Sequence, residues 1–142
     1  DYVDLFEPTA TSVVKLGNAC IVESIGSLSG EVPYTAFYAR KSFLNNNPEL
    51  IEKFTEAINK GLEFVKNNDS KTIANIILPS FPDSSLNDIE TIINNYKKYD
   101  SWLENPYITE ESFKNLENIL LDNKLIKDYV PYNKLINNFY EK

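Results

Sequence analysis

The sequence predicts an α/β fold in which helices are heavily in the majority, and three observations carry that expectation. Three of the four glycines and three short runs rich in β-branched and aromatic residues fall within residues 1–46. From residue 47 onward, apolar side chains recur every three to four positions between Asn, Lys and acidic residues, which is the spacing of amphipathic helices. Most of those stretches also open on a helix start signal, a Ser, Thr or Asn followed by Pro or an acid.

In chain order, Tyr2–Phe6 reads as a strand that Glu7-Pro8 ends, because proline cannot donate to a ladder. Residues 10–16 fit a two-turn helix with Thr9 as its cap and Gly17 as its stop. Cys20–Ile25 is a second expected strand, Gly26–Gly30 a turn-rich loop and Tyr34–Ala39 a third strand, apolar and aromatic as a buried one is. Asn47 then reads as an N-cap and Pro48 as the first helical position, with Glu49 complementing the dipole. Leu50, Ile51, Phe54, Ile58, Leu62 and Val65 mark one face of the helix that follows, which is expected to be a central packing element. Four further helices are expected. One runs from Ser70 to Leu78, one follows Ser84 or Ser85, one begins at Thr109, and one opens at Pro131 and runs through Leu135, Ile136 and Phe139.

Composition excludes several functions. The net charge of −7, from 21 acidic and 14 basic residues, lacks the basic stripe that nucleic-acid binding needs to displace counterions, so no nucleic-acid partner is expected. No apolar run approaches membrane-spanning length. With no histidine, the commonest general base and the commonest metal ligand are both missing, and one cysteine, Cys20, makes no internal disulfide. Cys20 sits in the apolar run Ala19–Val22 and reads as a buried structural thiol. There is no nucleophile elbow, phosphate loop or metal-ligand spacing, so neither a catalytic set nor a cofactor is expected. The acidic clusters at Asp83–Glu90 and at Glu110-Glu111 fit helix starts, and lack the spacing of a calcium loop. Trp102 reads as a staple between helices.

Three segments, in order, carry a family resemblance. Asp4-Leu5-Phe6-Glu7-Pro8 is similar to a stretch late in the second lobe of the solute-binding proteins of the nitrate, sulfonate and taurine importers, a family that includes binders of thiamine-pyrimidine precursors. The run from Gly30 to Ala39 resembles the segment that re-enters the first lobe. Asn47-Pro48-Glu49-Leu50 with Phe54, Ala57 and Gly61 resembles the helix that follows it. The resemblance covers the whole chain but only the last part of the family's length. It implies the C-terminal part of a type II periplasmic-binding-protein fold, a two-lobed clamshell. Residues 1–20 would be a remnant of the second lobe, 21–30 the crossing, and 31–142 the C-terminal part of the first lobe.

The same resemblance implies a ligand cleft, and Glu7, Pro8, Thr9, Ser27, Gly30 and Tyr34 are its candidate lining. Glu7 offers a carboxylate at a strand end, where open α/β sheets place ligands. Thr9 and Thr11 lie at the start of a short helix whose N–H groups suit an anion. Ser27, Ser29 and Gly30 offer hydroxyls and free amides, and Tyr34 an aromatic wall, with Phe37 expected to pack.

The expected function is that of the substrate-binding component of an ABC importer. It would capture a small organic anion or heterocycle and hand it to a membrane permease, and it would be no enzyme. The expected location is the outer face of the cell membrane, as a lipoprotein, or the periplasm. The alternatives are an enzyme of the related pyrimidine-synthase type, which the missing histidines disfavour, and a non-catalytic helical interaction module. The sequence also begins as a strand already under way, which suggests a piece of a longer protein. Residues 1–40 are therefore expected either to self-associate, as a swapped dimer, or to lie beside further chain.

Overall fold

The computed structural model describes residues 1–99 and 102–139. The order of elements is α1 (Thr9–Lys15), α2 (Ile25–Ser29), α3 (Lys41–Asn46), α4 (Pro48–Asn67), α5 (Ser70–Ile77), a 3-10 turn (Leu78–Ser80), α6 (Leu86–Lys98), α7 (Glu110–Asp122) and α8 (Tyr132–Leu135). The chain divides into two compact units, residues 1–28 with 64–103 and residues 29–63 with 104–142.

The helix ends follow local chemistry. Asp69 caps α5 by accepting from the Thr72 amide at 2.8 Å, Ser85 caps α6 through the Asp88 amide at 3.2 Å, and Thr109 caps α7 through the Ser112 amide at 3.0 Å. Gly17 follows α1 at φ +80, a backbone setting that costs glycine nothing. Asn47 behaves otherwise than expected: its side-chain amide donates to the Phe43 carbonyl at 2.8 Å and closes α3.

The first unit has a dry core. Ile73 and Ala74 of α5 meet Ile89 and Ile93 of α6, and Val65, Ile77, Leu78, Leu86 and Trp102 pack around them. Trp102 stands edge-on to Tyr96 with ring centroids 5.5 Å apart, the helix-stapling role expected of it. Its neighbours Asp100 and Ser101 lie outside the described residues. Ser70 donates to Asn94 at 2.6 Å and Lys97 to the Asn68 carbonyl at 2.5 Å, two polar ties beside the same core.

Four expectations are corrected. No strand forms among the described residues: residues 2–6, 20–24 and 34–39 are irregular, and Ile25 begins α2. A helix satisfies its amides from within its own segment, whereas a strand needs a ladder partner, and among the described residues those runs find none. Cys20 is consequently exposed. The apolar face of α4 is also only partly covered: Leu50 and Phe54 are exposed and Ile51, Ile58, Leu62 and Val65 half-buried, while its buried residue is Asn59. The helix expected from Pro131 shrinks to the four residues of α8.

The accessible area of 11,090 Å² makes the same point in one number. A compact monomer of this mass exposes roughly 7,500 Å², and two separate compact halves roughly 9,000 Å² together. The excess of about 2,000 Å² over even the second figure is surface that the chain does not cover by itself.

Candidate functional site

In the first unit, the Glu7-Pro8-Thr9 corner leads into α1. The Glu7–Pro8 bond is cis, and Pro8 occupies the capping position without a side-chain bond to give. Glu7 takes over that task. One carboxylate oxygen accepts from the Thr11 amide at 2.9 Å, and the other accepts from the Thr11 hydroxyl and from the Asn95 side-chain amide, each at 2.9 Å. A carboxylate offers about four acceptor sites, so Glu7 is largely committed to fastening α1 to α6. Lys15 and Asp88 add an ion pair between the same two helices. Tyr96, beside this corner, has its phenol pushed up by burial first and by the negative charge of Glu7 second.

Thr9, expected as the cap, is the exposed first residue of α1 and caps nothing, because the carboxylate two residues earlier reaches the amide instead. Thr11 is buried against Glu7. Ser27 is exposed within α2, its amide donating to the Ser24 carbonyl at 3.1 Å. The structure thus brings Glu7, Pro8 and Thr9 together as one corner and commits the Glu7 carboxylate and the Pro8 carbonyl to the chain's own bonds.

In the second unit, Gly30 sits at φ +72. The Asn115 side-chain amide of α7 donates to the carbonyls on either side of it, Ser29 at 3.0 Å and Glu31 at 3.1 Å. A Cβ at Gly30 would meet that amide nitrogen at 3.4 Å. Here glycine serves both a positive φ and a close approach. Tyr34 lies four residues on and is 74% exposed. Phe37, expected to pack, touches Phe54 edge-on at 4.9 Å yet is also 74% exposed.

A shallow cavity of about 220 Å³ lies in the second unit between α7 and residues 129–132. Glu117 is buried beneath it and accepts from the Val130 amide at 2.6 Å, while Lys114 stacks its ammonium on the Tyr129 ring at 2.8 Å. Tyr132 donates to the Ile108 carbonyl and accepts from Asn138 at 2.7 Å, and burial is the first cause of its raised phenol pKa. These groups are occupied in sewing residues 129–138 onto the helix, which makes the cavity a packing seam. Among the described residues no group of three or more metal-ligating side chains gathers, and no helix is long and apolar enough to cross a membrane.

Sequence reasoning missed Asn95, Asn115 and Glu117. A usable signal existed for the two asparagines. Asn is a mediocre helix former, so an Asn well inside a helix asks for a tertiary reason, and both supply one.

The sequence of this chain is similar to that of a bacterial binding protein. That relative, from Bacillus subtilis (strain 168), carries the name "Putative binding protein YtlA"; it is 40% identical over 137 residues, which are 96% of this chain and 41% of the relative. The chain therefore spans less than half the length of the curated relative it matches. No protein-family model matches the chain, and no solved structure matches it significantly.

Proposed function

We propose that the chain is the C-terminal part of the solute-binding component of an ABC importer, built as an α/β two-lobed clamshell. The observation that carries this reading is the 40% identity, over nearly the whole chain, to a protein whose name says that it binds. The ordered segments at Asp4–Pro8, Gly30–Ala39 and Asn47–Gly61 support the narrower family of nitrate, sulfonate, taurine and pyrimidine-precursor carriers.

In this reading residues 1–20 belong to one lobe, 21–30 to the crossing and 31–142 to the other lobe. The solute is a small organic anion or heterocycle, and the protein carries it without changing it. Pro8, Thr9, Ser27, Gly30 and Tyr34 lie on the cleft. Glu7 orients the corner, its carboxylate held by Thr11 and Asn95, and keeps one acceptor site for the solute. A permease at the outer face of the membrane, or facing the periplasm, receives the closed form.

The test is native mass spectrometry of the complete gene product purified from its host, followed by thermal-shift titration with nitrate, taurine, an alkylsulfonate and an aminopyrimidine. The expected result is a retained small solute, or a rise in melting temperature with one of the four. No retained mass and no shift with any of them would sink the reading.

A further inference from the structure

The chemistry of the Glu7 corner bears on the kind of solute it can hold. Proteins hold anions with cations or with free amides at a helix start, and at this corner both are already engaged. At the start of α1 the Ala10 amide donates to the Phe6 carbonyl at 3.0 Å, the Thr11 amide to Glu7 at 2.9 Å and the Ser12 amide to the Pro8 carbonyl at 3.1 Å. The chain's own carboxylate thus stands where an anionic ligand would. Lys15, the basic residue of α1, pairs with Asp88 of α6. None of the candidate lining residues is basic, and residues 1–28 with 64–103 carry nine acids against five lysines.

What the corner offers instead is an acceptor. An ionised carboxylate donates nothing and has about four sites for donors, of which Thr11 and Asn95 fill three. Glu7 is half-buried, which leaves the remaining site within reach of a ligand, and the neighbouring Thr9 is exposed. Thr11 and Asn95 are neutral, so they orient the carboxylate without cancelling its charge. That charge is felt at the Tyr96 phenol, which burial raises first and Glu7 second. A carboxylate held in this way is best completed by a cationic or strongly polarised donor, and repels a second anion.

We propose that the solute carries a nitrogen-bound hydrogen, as an amine or an amino-substituted heterocycle, and donates it to the Glu7 carboxylate. Bare oxyanions such as nitrate and simple alkylsulfonates are turned away by the same group. The inference rests on the reading of this corner as part of a solute cleft, and chooses within the solute class of that reading. Thr11 of α1 and Asn95 of α6 make the choice firm. Anchored from two helices, the carboxylate does not swing aside to admit an anion.

Calorimetric titration of the complete gene product with matched probes tests the proposal. Taurine is set against isethionate, in which a hydroxyl replaces the amine, and an aminopyrimidine against the same ring with methyl in place of amino. Nitrate serves as the bare oxyanion, and native mass spectrometry gives the formula of any solute retained from the host. Glu7→Gln keeps the size of the side chain and an oxygen for Thr11 while removing the charge, and its unfolding midpoint shows whether it is folded. The amino member of at least one pair should bind, its twin should bind about tenfold or more weaker, and Glu7→Gln should weaken the amino member by a similar factor. Should Glu7→Gln not fold, the matched pairs on the unsubstituted protein decide by themselves. Three results overturn the proposal: a twin or nitrate that binds as tightly as the amino compounds, a folded Glu7→Gln protein that binds the amino compound undiminished, or a retained solute with no nitrogen-bound hydrogen. Binding of none of the probes, with no retained solute, removes the solute reading itself and this inference with it.

Discussion

The α5–α6 pair and the N-terminal two-thirds of α4 read alike in sequence, and the structure treats them differently. Both present apolar side chains at helical spacing, and both begin with clear start signals. In α5 and α6 that face is closed over Ile73, Ala74, Ile89 and Ile93, with Ile93 only 2% exposed. In α4 the corresponding residues Leu50 and Phe54 remain exposed, and only near its C-terminal end does Val65 reach the core of the first unit. Periodicity declares that a face is apolar and is silent on what covers it. For α5 the cover follows a few residues later in the chain, and for the start of α4 it does not.

The largest test of that contrast is truncation at its two extremes. Ile93→Ala should cost the chain about 2–5 kcal/mol, the lost transfer energy plus the cavity left behind. It would be read from urea unfolding followed by circular dichroism. Glu7→Ala removes three hydrogen bonds, two that cap α1 through Thr11 and one that ties the corner to Asn95 of α6. It should cost about 1–3 kcal/mol, as expected for bonds to a charged acceptor at a partly covered site, and should speed amide exchange in residues 9–15. An unchanged unfolding curve would show that the corner is not a fastening.

Phe54→Ala should cost less than about 1 kcal/mol in the chain alone, because its ring is 43% exposed and little cavity forms. A loss as large as that of Ile93→Ala would erase the contrast between the two regions.

The smallest expected effect is electrostatic. Asp69 accepts from the Thr72 amide and hydroxyl, and those bonds hold its carboxyl below the ordinary carboxylate range. Its folded pKa is depressed, so it adds stability above the unfolded value near about 3.9, and that contribution is lost as pH falls through the lower folded value. A carbon-13 titration of the Asp69 carboxyl should therefore show a midpoint below that of exposed aspartates. A midpoint at or above theirs would mean that the cap does not persist in solution.

The sequence by itself determined the elements whose causes are local. Pro48 with Glu49, Asp69, Ser85 and Thr109 opened their helices because a capping side chain or a fixed φ needs no partner beyond the next turn. Gly17 and Gly30 likewise sat where a positive φ was wanted. The tertiary structure alone decided whatever required a neighbour distant in sequence. It drew Glu7 into the cap of α1 with Asn95 as its second anchor, fixed the Gly30 loop through Asn115, and seated Val130 on Glu117. It also left Tyr2–Phe6, Cys20–Ser24 and Tyr34–Ala39 without ladders, although each has the composition of a strand. A helical hydrogen bond spans four residues and is written into its own segment. A strand's bonds belong to whatever lies beside it, and no composition of six residues can supply that neighbour.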